Sequence, residues 1–423
     1  FVVARILNNE GWPVRVALDG EASSLSDDAA LMANLWTGPV EPLSPAIVQG
    51  AELIIDALYG AGLSRPISGI ASEIINTVAR LKIPVVAIDL PSGIFGDTGA
   101  AGKAVAPATL TVSFFKHKPA HLLYPARDLC GDIVIIDIGT PTSVLEEIKP
   151  NSWINTPELW DSSFPLLSSR SHKYERGHAV IISGGLSNTG AARLAAESAM
   201  RSGAGLTTIA CPTESLSVIA PTLSEVLLVP SDSPSDLFDL LTLRKRNAVL
   251  IGPGNGVSDE TRANVKTVLD APVAVVIDAD ALTVFEDAPE ELFRELDETC
   301  VLTPHDGEFD RIFPNVEDVG RLARARFAAE ISGAVIVLKG PDTVVAHPDG
   351  RAAICNIAPP QLATAGSGDV LGGILIGLRA QGVPPFEASA IAVWLHARAA
   401  LNFGPGLIAS DLPSQIPSIL RYL

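Results

Sequence analysis

Leu362-Ala363-Thr364-Ala365-Gly366-Ser367-Gly368-Asp369-Val370-Leu371 runs directly into Gly372-Gly373-Ile374-Leu375-Ile376-Gly377-Leu378. A short glycine-bearing loop opens an apolar helix here, and a carboxylate falls in that helix's first turn. A helix start leaves backbone N–H groups unpartnered and carries partial positive charge. Gly366 and Gly368 lack a Cβ, so an anion can approach those N–H groups closely. Ser367 and Thr364 are equally able to cap. Asp369 is thus placed to act as a general base beside an anion hole, taking the proton of a hydroxyl that attacks phosphorus. Two plainer readings stand beside this one. Asp369 gains roughly 0.3–1 kcal/mol simply by sitting on the helix dipole, and Gly372, Gly373 and Gly377 permit close helix packing. A membrane span is excluded, because Arg379 and Gln381 end the run before the ~20 residues a bilayer requires.

Upstream of this loop, short apolar strands end repeatedly in glycine or acid. Strand His178–Ser183 leads into Gly184-Gly185-Leu186-Ser187-Asn188-Thr189-Gly190 and a helix from Ala191 to Ser202, whose spacing is not the dinucleotide Gly-x-Gly-x-x-Gly. The small Ala191 and Ala192 would let a phosphate or ribose approach closely. Val249-Leu250-Ile251 ends in Gly252-Pro253-Gly254, and Pro272 to Ile277 in Asp278-Ala279-Asp280, where capping of the next helix is the plainer role. Val301-Leu302-Thr303-Pro304 delivers His305 and Glu308 to a fourth strand end, and His305 is read as a ligand contact. Ala334–Leu338 runs into Lys339-Gly340-Pro341-Asp342-Thr343, where a lysine, a glycine and a hydroxyl suit a nucleotide phosphate. His117, His121, His347 and His396 have no comparable context. Pro385–Phe403 and Ser410–Leu420 read as covering helices.

The first 139 residues follow the same grammar. Strands are expected at Val14–Leu18, Glu52–Ala57, Pro84–Asp89 and Ile133–Asp137, with helices at Asp27–Trp36 and Gly69–Leu81. Such alternation implies parallel sheets covered on both faces, with ligands beyond the strands' carboxyl ends. Asp56 leads into Gly60-Ala61-Gly62-Leu63-Ser64-Arg65-Pro66, and Asp89 into Leu90-Pro91-Ser92-Gly93. An Asp at a strand end commonly bonds only to loop amides. Two at neighbouring loops, one beside a glycine-rich turn with Arg65, point to an anion-holding site. Gly139 to Arg176 is rich in Pro, Ser and Thr and reads as a linker with one short helix at Val144–Ile148, which sets domains of 1–152 and 153–423.

With 423 residues, 47% apolar and 18% charged, the chain is long enough for two or three cores and too apolar for disorder. The net charge of −18 argues against a nucleic-acid partner, which calls for a basic face. Cys130, Cys211, Cys300 and Cys355 show no paired spacing for zinc or a redox couple and suit a reducing cytoplasm. No signal-peptide pattern or membrane-length run occurs, and a homo-oligomer is expected. Phe1-Val2-Val3-Ala4-Arg5 reads as mid-helix, so an upstream segment is expected.

The Gly-Ser-Gly-Asp helix resembles the anion-hole motif of ribokinase-like enzymes, and Ala363–Leu371 is similar to the NAD(P)H-hydrate dehydratases among them. The loops from Asn188 to Ala192, Gly252 to Gly254, Asp278 to Asp280, Thr303 to Glu308 and Lys339 to Thr343 occur in that family's order. The first 139 residues resemble an NAD(P)H-hydrate epimerase domain. The resemblance implies two doubly wound α/β domains, a Rossmann-like three-layer epimerase and a ribokinase-like dehydratase. It implies that Ala191 or Ala192, Gly254, His305 and Asp369 contact the NADH or NADPH hydrate. Lys339 to Thr343 and Gly366 to Gly368 would hold ADP, with Mg²⁺ shielding its phosphates. Asp369 would be the catalytic base. In the first domain Asp89 would be catalytic and, with the Gly60–Pro66 loop, would contact the hydrate, and Asp56 and Ser92 would ligate K⁺. That family's Asn-Asn-Gly-Gly-Asp-Gly loop belongs immediately before Phe1, and Ala358-Pro359-Pro360-Gln361 departs from its usual Asn- and Gly-rich lead-in. The alternative is a ribokinase-like small-molecule alcohol kinase with a non-catalytic N-terminal binding module.

Overall fold

The computed structural model describes residues 1–243, 245–314, 316 and 320–423. They form two compact units, Phe1–Glu147 and Ile148–Leu423. In the first, β1 (Val16–Leu18) and β2 (Val40–Pro42) pair in parallel. A separate, fully parallel sheet has the order β3 (Ile54–Asp56), β4 (Val85–Ile88), β5 (Leu110–Phe114), β6 (Asp132–Ile136). Helix Gly69–Leu81, with the bounds expected from its amphipathic spacing, buries Ala71, Ile74, Ile75 and Val78 against Val48, Val85 and Ala87. It stops at Lys82, which turns left-handed at φ 54°. The cover is not complete on both faces, since edge strand β6 leaves Val134 and Ile136 exposed.

Strand β5 is absent from the sequence reading for a physical reason. Leu110-Thr111-Val112-Ser113-Phe114 alternates, but its fully buried positions are the polar ones, Thr111 and Ser113. Thr111 donates to the Cys130 carbonyl at 2.6 Å and Ser113 to Asp89 Oδ1 at 2.9 Å. Satisfied hydroxyls therefore occupy the face that the alternation rule reserves for apolar side chains.

The second unit is built on one ten-stranded sheet. Its strands are β7 (Ser152–Ile154), β8 (His178–Ile182), β9 (Leu206–Cys211), β10 (Leu227–Pro230), β11 (Ala248–Ile251), β12 (Ala274–Ile277), β13 (Val301–Leu302), β14 (Val335–Leu338), β15 (Val344–Ala346) and β16 (Ala352–Ile354). Their order is β10-β9-β8-β11-β12-β13-β14-β15-β16-β7. All pairings are parallel except β14–β15 and β15–β16, so the sheet is mixed rather than purely parallel as expected. The chain builds outward from β8 through β9 to β10, then crosses back to β11 and builds the other way. A ligand crevice belongs at that reversal.

The expected linker is a correction as well. Val144–Ile148 is the short helix expected, but β7 follows it at once and pairs with β16. Trp160 is 1% exposed within the main core. Its indole N–H donates to Asn155 Oδ1 at 3.1 Å, and Asn155 Nδ2 donates to the Ala390 carbonyl at 2.8 Å. Prolines and serines in this stretch shape an irregular but packed strap, and the second unit begins at Ile148 rather than at 153.

Helix Ser367–Ala380 is buried from Val370 to its last residue. A Cβ on Gly373 would collide with the Ala195 carbonyl and lie 2.7 Å from Ala195 Cα, and one on Gly377 would strike Ser202 Oγ and the Ala199 carbonyl. These two glycines let the helix lie directly against helix Thr189–Arg201. The packing reading therefore holds for Gly373 and Gly377, while Gly366 and Gly368 do different work.

Candidate active site

The ends of β12, β13 and β14 carry most of the chemistry. Lys339, just past β14, donates a backbone bond to the Pro304 carbonyl at 2.8 Å and forms a bridge with His305. The two loops are thus held side by side. Lys339 is mostly buried, and its Nζ lies 2.7 Å from Asp278 Oδ1 and 3.7 Å from Glu308 Oε2. Burial works against its charge, but Asp278, Glu308 and Asp369 outweigh it and raise its pKa above the ordinary lysine value. Asp278 is 2% exposed. Its Oδ1 also accepts from the Ala279 amide at 2.8 Å, and Ala279 sits at φ 51°, a conformation costly for a residue with a Cβ. The cap expected of Asp278 is therefore a tight turn aiming the carboxylate at Lys339.

Asp369 faces this cluster from the first turn of helix Ser367–Ala380. Burial, then the charges of Asp278 and Asp280, push its pKa up to about 6 against the opposing pull of Lys339. Gly366 precedes it at φ 86°, left-handed backbone that favours glycine, and a Cβ there would press on Leu194 and Ala409. A Cβ on Gly368 would stand 3.7 Å from Lys339 Nζ. Lysine, bare amides and a carboxyl of raised pKa therefore converge. Ser367 faces inward, 7% exposed, with its Oγ 3.1 Å from His396 Nε2. Burial lowers that imidazole to about 4, which keeps it neutral.

The remaining expected contacts divide. Gly254, at φ 71°, packs beside the Asn188 carbonyl, and a Cβ on it would lie 3.7 Å from Ala191 Cβ. Ala192 is 0% exposed in the core, so Ala191 alone of the pair meets the Gly254 loop. His305 is about half exposed and caps its own helix, with Nδ1 accepting from the Glu308 amide at 3.2 Å. Thr343 spends its hydroxyl within the loop, donating to the Gly340 carbonyl at 2.7 Å. Asp342 is 2% exposed and paired with Arg321 at 2.7 Å. That pairing commits its carboxylate to Arg321, and Gly340 is committed as well, its amide donating to Thr343 Oγ1 at 3.1 Å.

A cavity of about 280 Å³ opens at the reversal point between β8 and β11, lined by Ser183, Gly185, Glu214, Asp232 and Asn255 among others. It shares the Gly252–Gly256 loop with the Asp369 cluster, because the Gly256 amide donates to Asp280 Oδ2 at 2.8 Å.

In the first unit the two expected strand-end loops do meet. Asp89, at φ 71°, accepts from the Ala61 amide at 3.0 Å and from Ser113 at 2.9 Å, and pairs with Lys118 at 2.8 Å. Burial alone would raise its pKa, but these partners outweigh burial and lower it. A Cβ on Gly60 would lie 3.0 Å from Asp89 Oδ2, which explains the glycine. Asp56 accepts from the Ser92 amide at 2.8 Å and the Ser92 hydroxyl at 2.6 Å, and burial raises its pKa. A cavity of about 330 Å³ is lined by Leu58, Tyr59, Gly60 and Gly62 to Arg65. Lys118 was missed with β5, the strand that delivers it. His121, set aside for want of context, bonds to the Asp89 carbonyl at 2.9 Å.

A mixed sheet that gathers glycine amides, a lysine and an acid at one end is the frame of a nucleotide-binding α/β enzyme. The comparisons resolve the class. Residues 179–421 match the family model described as NAD(P)H-hydrate dehydratase, and residues 1–120 the model described as YjeF-related protein N-terminus. A bifunctional NAD(P)H-hydrate repair enzyme Nnr of Coxiella burnetii is 33% identical over 97% of this chain and 85% of its own length. Among solved structures, an ADP/ATP-dependent NAD(P)H-hydrate dehydratase of Bacillus subtilis, co-crystallised with ATP and Mg²⁺, is 30% identical. It covers 64% of this chain and 99% of its own at a TM-score of 0.56. A ribokinase-like superfamily protein of Enterococcus faecalis is 25% identical over 64% of this chain and 96% of its own, with a TM-score of 0.58. This chain belongs to the family of bifunctional NAD(P)H-hydrate repair enzymes. Among its described residues, no helix is long and apolar enough to cross a membrane.

Proposed function

We propose that the second unit dehydrates the S epimer of NADH or NADPH hydrate at the expense of ADP, with Asp369 as base. The supporting observation is a carboxyl held at about 6, facing Lys339 and flanked by the bare amides of Gly366 and Gly368, while the Ser367 amide donates to the Thr364 carbonyl at 3.3 Å. A base of that pKa is charged at neutral pH yet holds a proton well enough to take one. Asp369 removes the proton of the C6 hydroxyl as its oxygen attacks the terminal phosphorus of ADP, and AMP leaves. The amides and Lys339 offset charge on the phosphoryl oxygens. The C6–O bond then breaks, its electron pair leaving with phosphate, and loss of a C5 proton restores the ring double bond. Gly254, Ala191 and His305 border the space for the hydrated ring.

Magnesium fits as a passenger on the nucleotide. Among the described residues no group of three or more His, Cys, Asp and Glu side chains is placed to hold a metal, and Mg²⁺ favours phosphate oxygens with few protein carboxylates. When bound it neutralises phosphate charge. Epimerisation of the R and S hydrates belongs to this domain in the complete family protein, where Asp89 and the Gly60–Pro66 loop would contact the hydrate. Asp56, Ser92 and the Tyr59 carbonyl form an oxygen set that suits K⁺. The Ser92 hydroxyl lies 2.6 Å from Asp56 and 3.3 Å from the Tyr59 carbonyl, and burial, with no ion pair among the described residues, raises the Asp56 pKa. The four cysteines are buried, in keeping with work in the cytoplasm.

The test is direct. Enzyme, NADH hydrate and ADP should restore the absorbance of the reduced cofactor, and Asp369→Asn should not. Recovery that survives this substitution removes Asp369 from the chemistry.

A further inference from the structure

One guanidinium reaches both loops of the second-unit site without touching the space between them. Arg321 opens helix Arg321–Ser332. Its Nε lies 2.7 Å from Asp342 Oδ1, on the loop after β14, and its Nη2 lies 2.7 Å from Asp306 Oδ2, next to His305. Nη1 adds a long bond to the Lys339 carbonyl at 3.5 Å. The Arg321 side chain is 13% exposed and that of Asp342 3%, so this arm is shielded from water, while the Asp306 arm is half exposed. The loop is cut to receive it, since a Cβ on Gly340 would collide with the guanidinium, 2.7 Å from Cζ. Arg324 steadies the same acid from one turn further along, with Nη1 3.6 Å from Asp306 Oδ1.

We infer that Arg321 is a positioning residue that couples the nucleotide loop (Lys339–Thr343) to the hydrate loop (His305–Glu308), so that filling one side of the site tightens the other. This rests on the proposed reading of the site. The physical reason is the rigid fork of the guanidinium, which bonds two carboxylates in fixed relative positions. A ligand that settles Gly340 and Thr343 fixes Asp342, hence Arg321, hence Asp306 and the His305 turn. Linkage makes the effect reciprocal. Asp342 thereby gains a role through its pairing with Arg321.

The experiment measures binding of AMP to the full chain by calorimetry, with and without saturating NADH, for the native protein, Arg321→Lys and Asp306→Asn. Lysine keeps the charge but offers a single ammonium in place of the fork. Asp306 is half exposed, so its amide variant should fold, and thermal melts confirm that for both variants. NADH should tighten AMP at least about fivefold in the native protein, the lower end of ordinary allosteric coupling. In both variants the ratio should fall to within about twofold of one. A purely structural role would lower the melting temperature and spare the ratio. A native ratio of one, or a ratio that persists in both variants, overturns the coupling. Failure of the native chain to bind AMP at all overturns the reading of the site, and the coupling with it.

Discussion

Replacing Asp369 by Asn should make the protein more stable as it becomes inactive, by an amount that depends on pH. The carboxyl titrates at about 6 instead of the ordinary 3.8, chiefly because it is buried and secondarily because Asp278 and Asp280 stand near. Between those two values the folded chain retains a proton that the unfolded chain has released, so stability falls as pH rises through that window. At 1.36 kcal/mol per unit, the ionised group costs the fold about 3 kcal/mol above pH 7. Asparagine matches the shape and carries no charge. Asp369→Asn should therefore exceed the native protein by up to about 3 kcal/mol at pH 8, or about 6 °C in melting temperature. The gap should narrow as pH falls and close below about pH 3, where the native carboxyl is protonated in both states. Paired melts in a pH series read both numbers. A variant no more stable than native at pH 8, or a gap that ignores pH, would refute the view of Asp369 as a strained, buried base.

The same titration should appear in the rate, with kcat/KM for dehydration falling on the acid side with an apparent pKa of about 6. A limb near 4 would assign the base elsewhere. Gly373→Ala should destabilise the second unit by about 1–3 kcal/mol in denaturant titration, because the added methyl strikes Ala195. Gly372→Ala, whose Cβ would sit 3.2 Å from Leu250 Cδ2, should be milder. A fragment beginning at residue 179 omits β7 and Trp160 and should melt well below one beginning at Ile148. Equal melting temperatures would show the strap to be dispensable.

Five of the second unit's strands, β8 and β11 to β14, were legible in the sequence because they are apolar runs ending in glycine or acid, whereas β7, β9, β10, β15 and β16 were not read as strands. Helix Pro385–Phe403 has the bounds expected. The Gly-Ser-Gly-Asp turn, the Lys339 loop and His305 were each visible alone, because strand ends in such sheets share one edge. Their partners were not. Asp278 looked like a cap, and only the strained turn at Ala279 reveals that it faces Lys339. His396 lies mid-helix in an apolar run, and no spacing rule connects it with Ser367. Thr111 and Ser113 hid β5, and with it Lys118, because hydroxyls paired at long range do not announce burial in a linear pattern. The strap from Ser152 to Trp160 looked like a linker because composition records loop chemistry and is silent about what a single tryptophan will fill.

That strap also bears on how the molecule emerges from the ribosome. Ser152, Trp153 and Ile154 find their hydrogen-bonding partners only at Ala352, Ala353 and Ile354, so an early segment must stay unpaired while nearly the whole sheet is synthesised. Until then Trp160 lacks the helix that supplies the Ala390 carbonyl to its partner Asn155. A nascent chain halted anywhere before that point offers a bare strand and a greasy indole to chaperones, and burial of Trp160 would report the moment of closure.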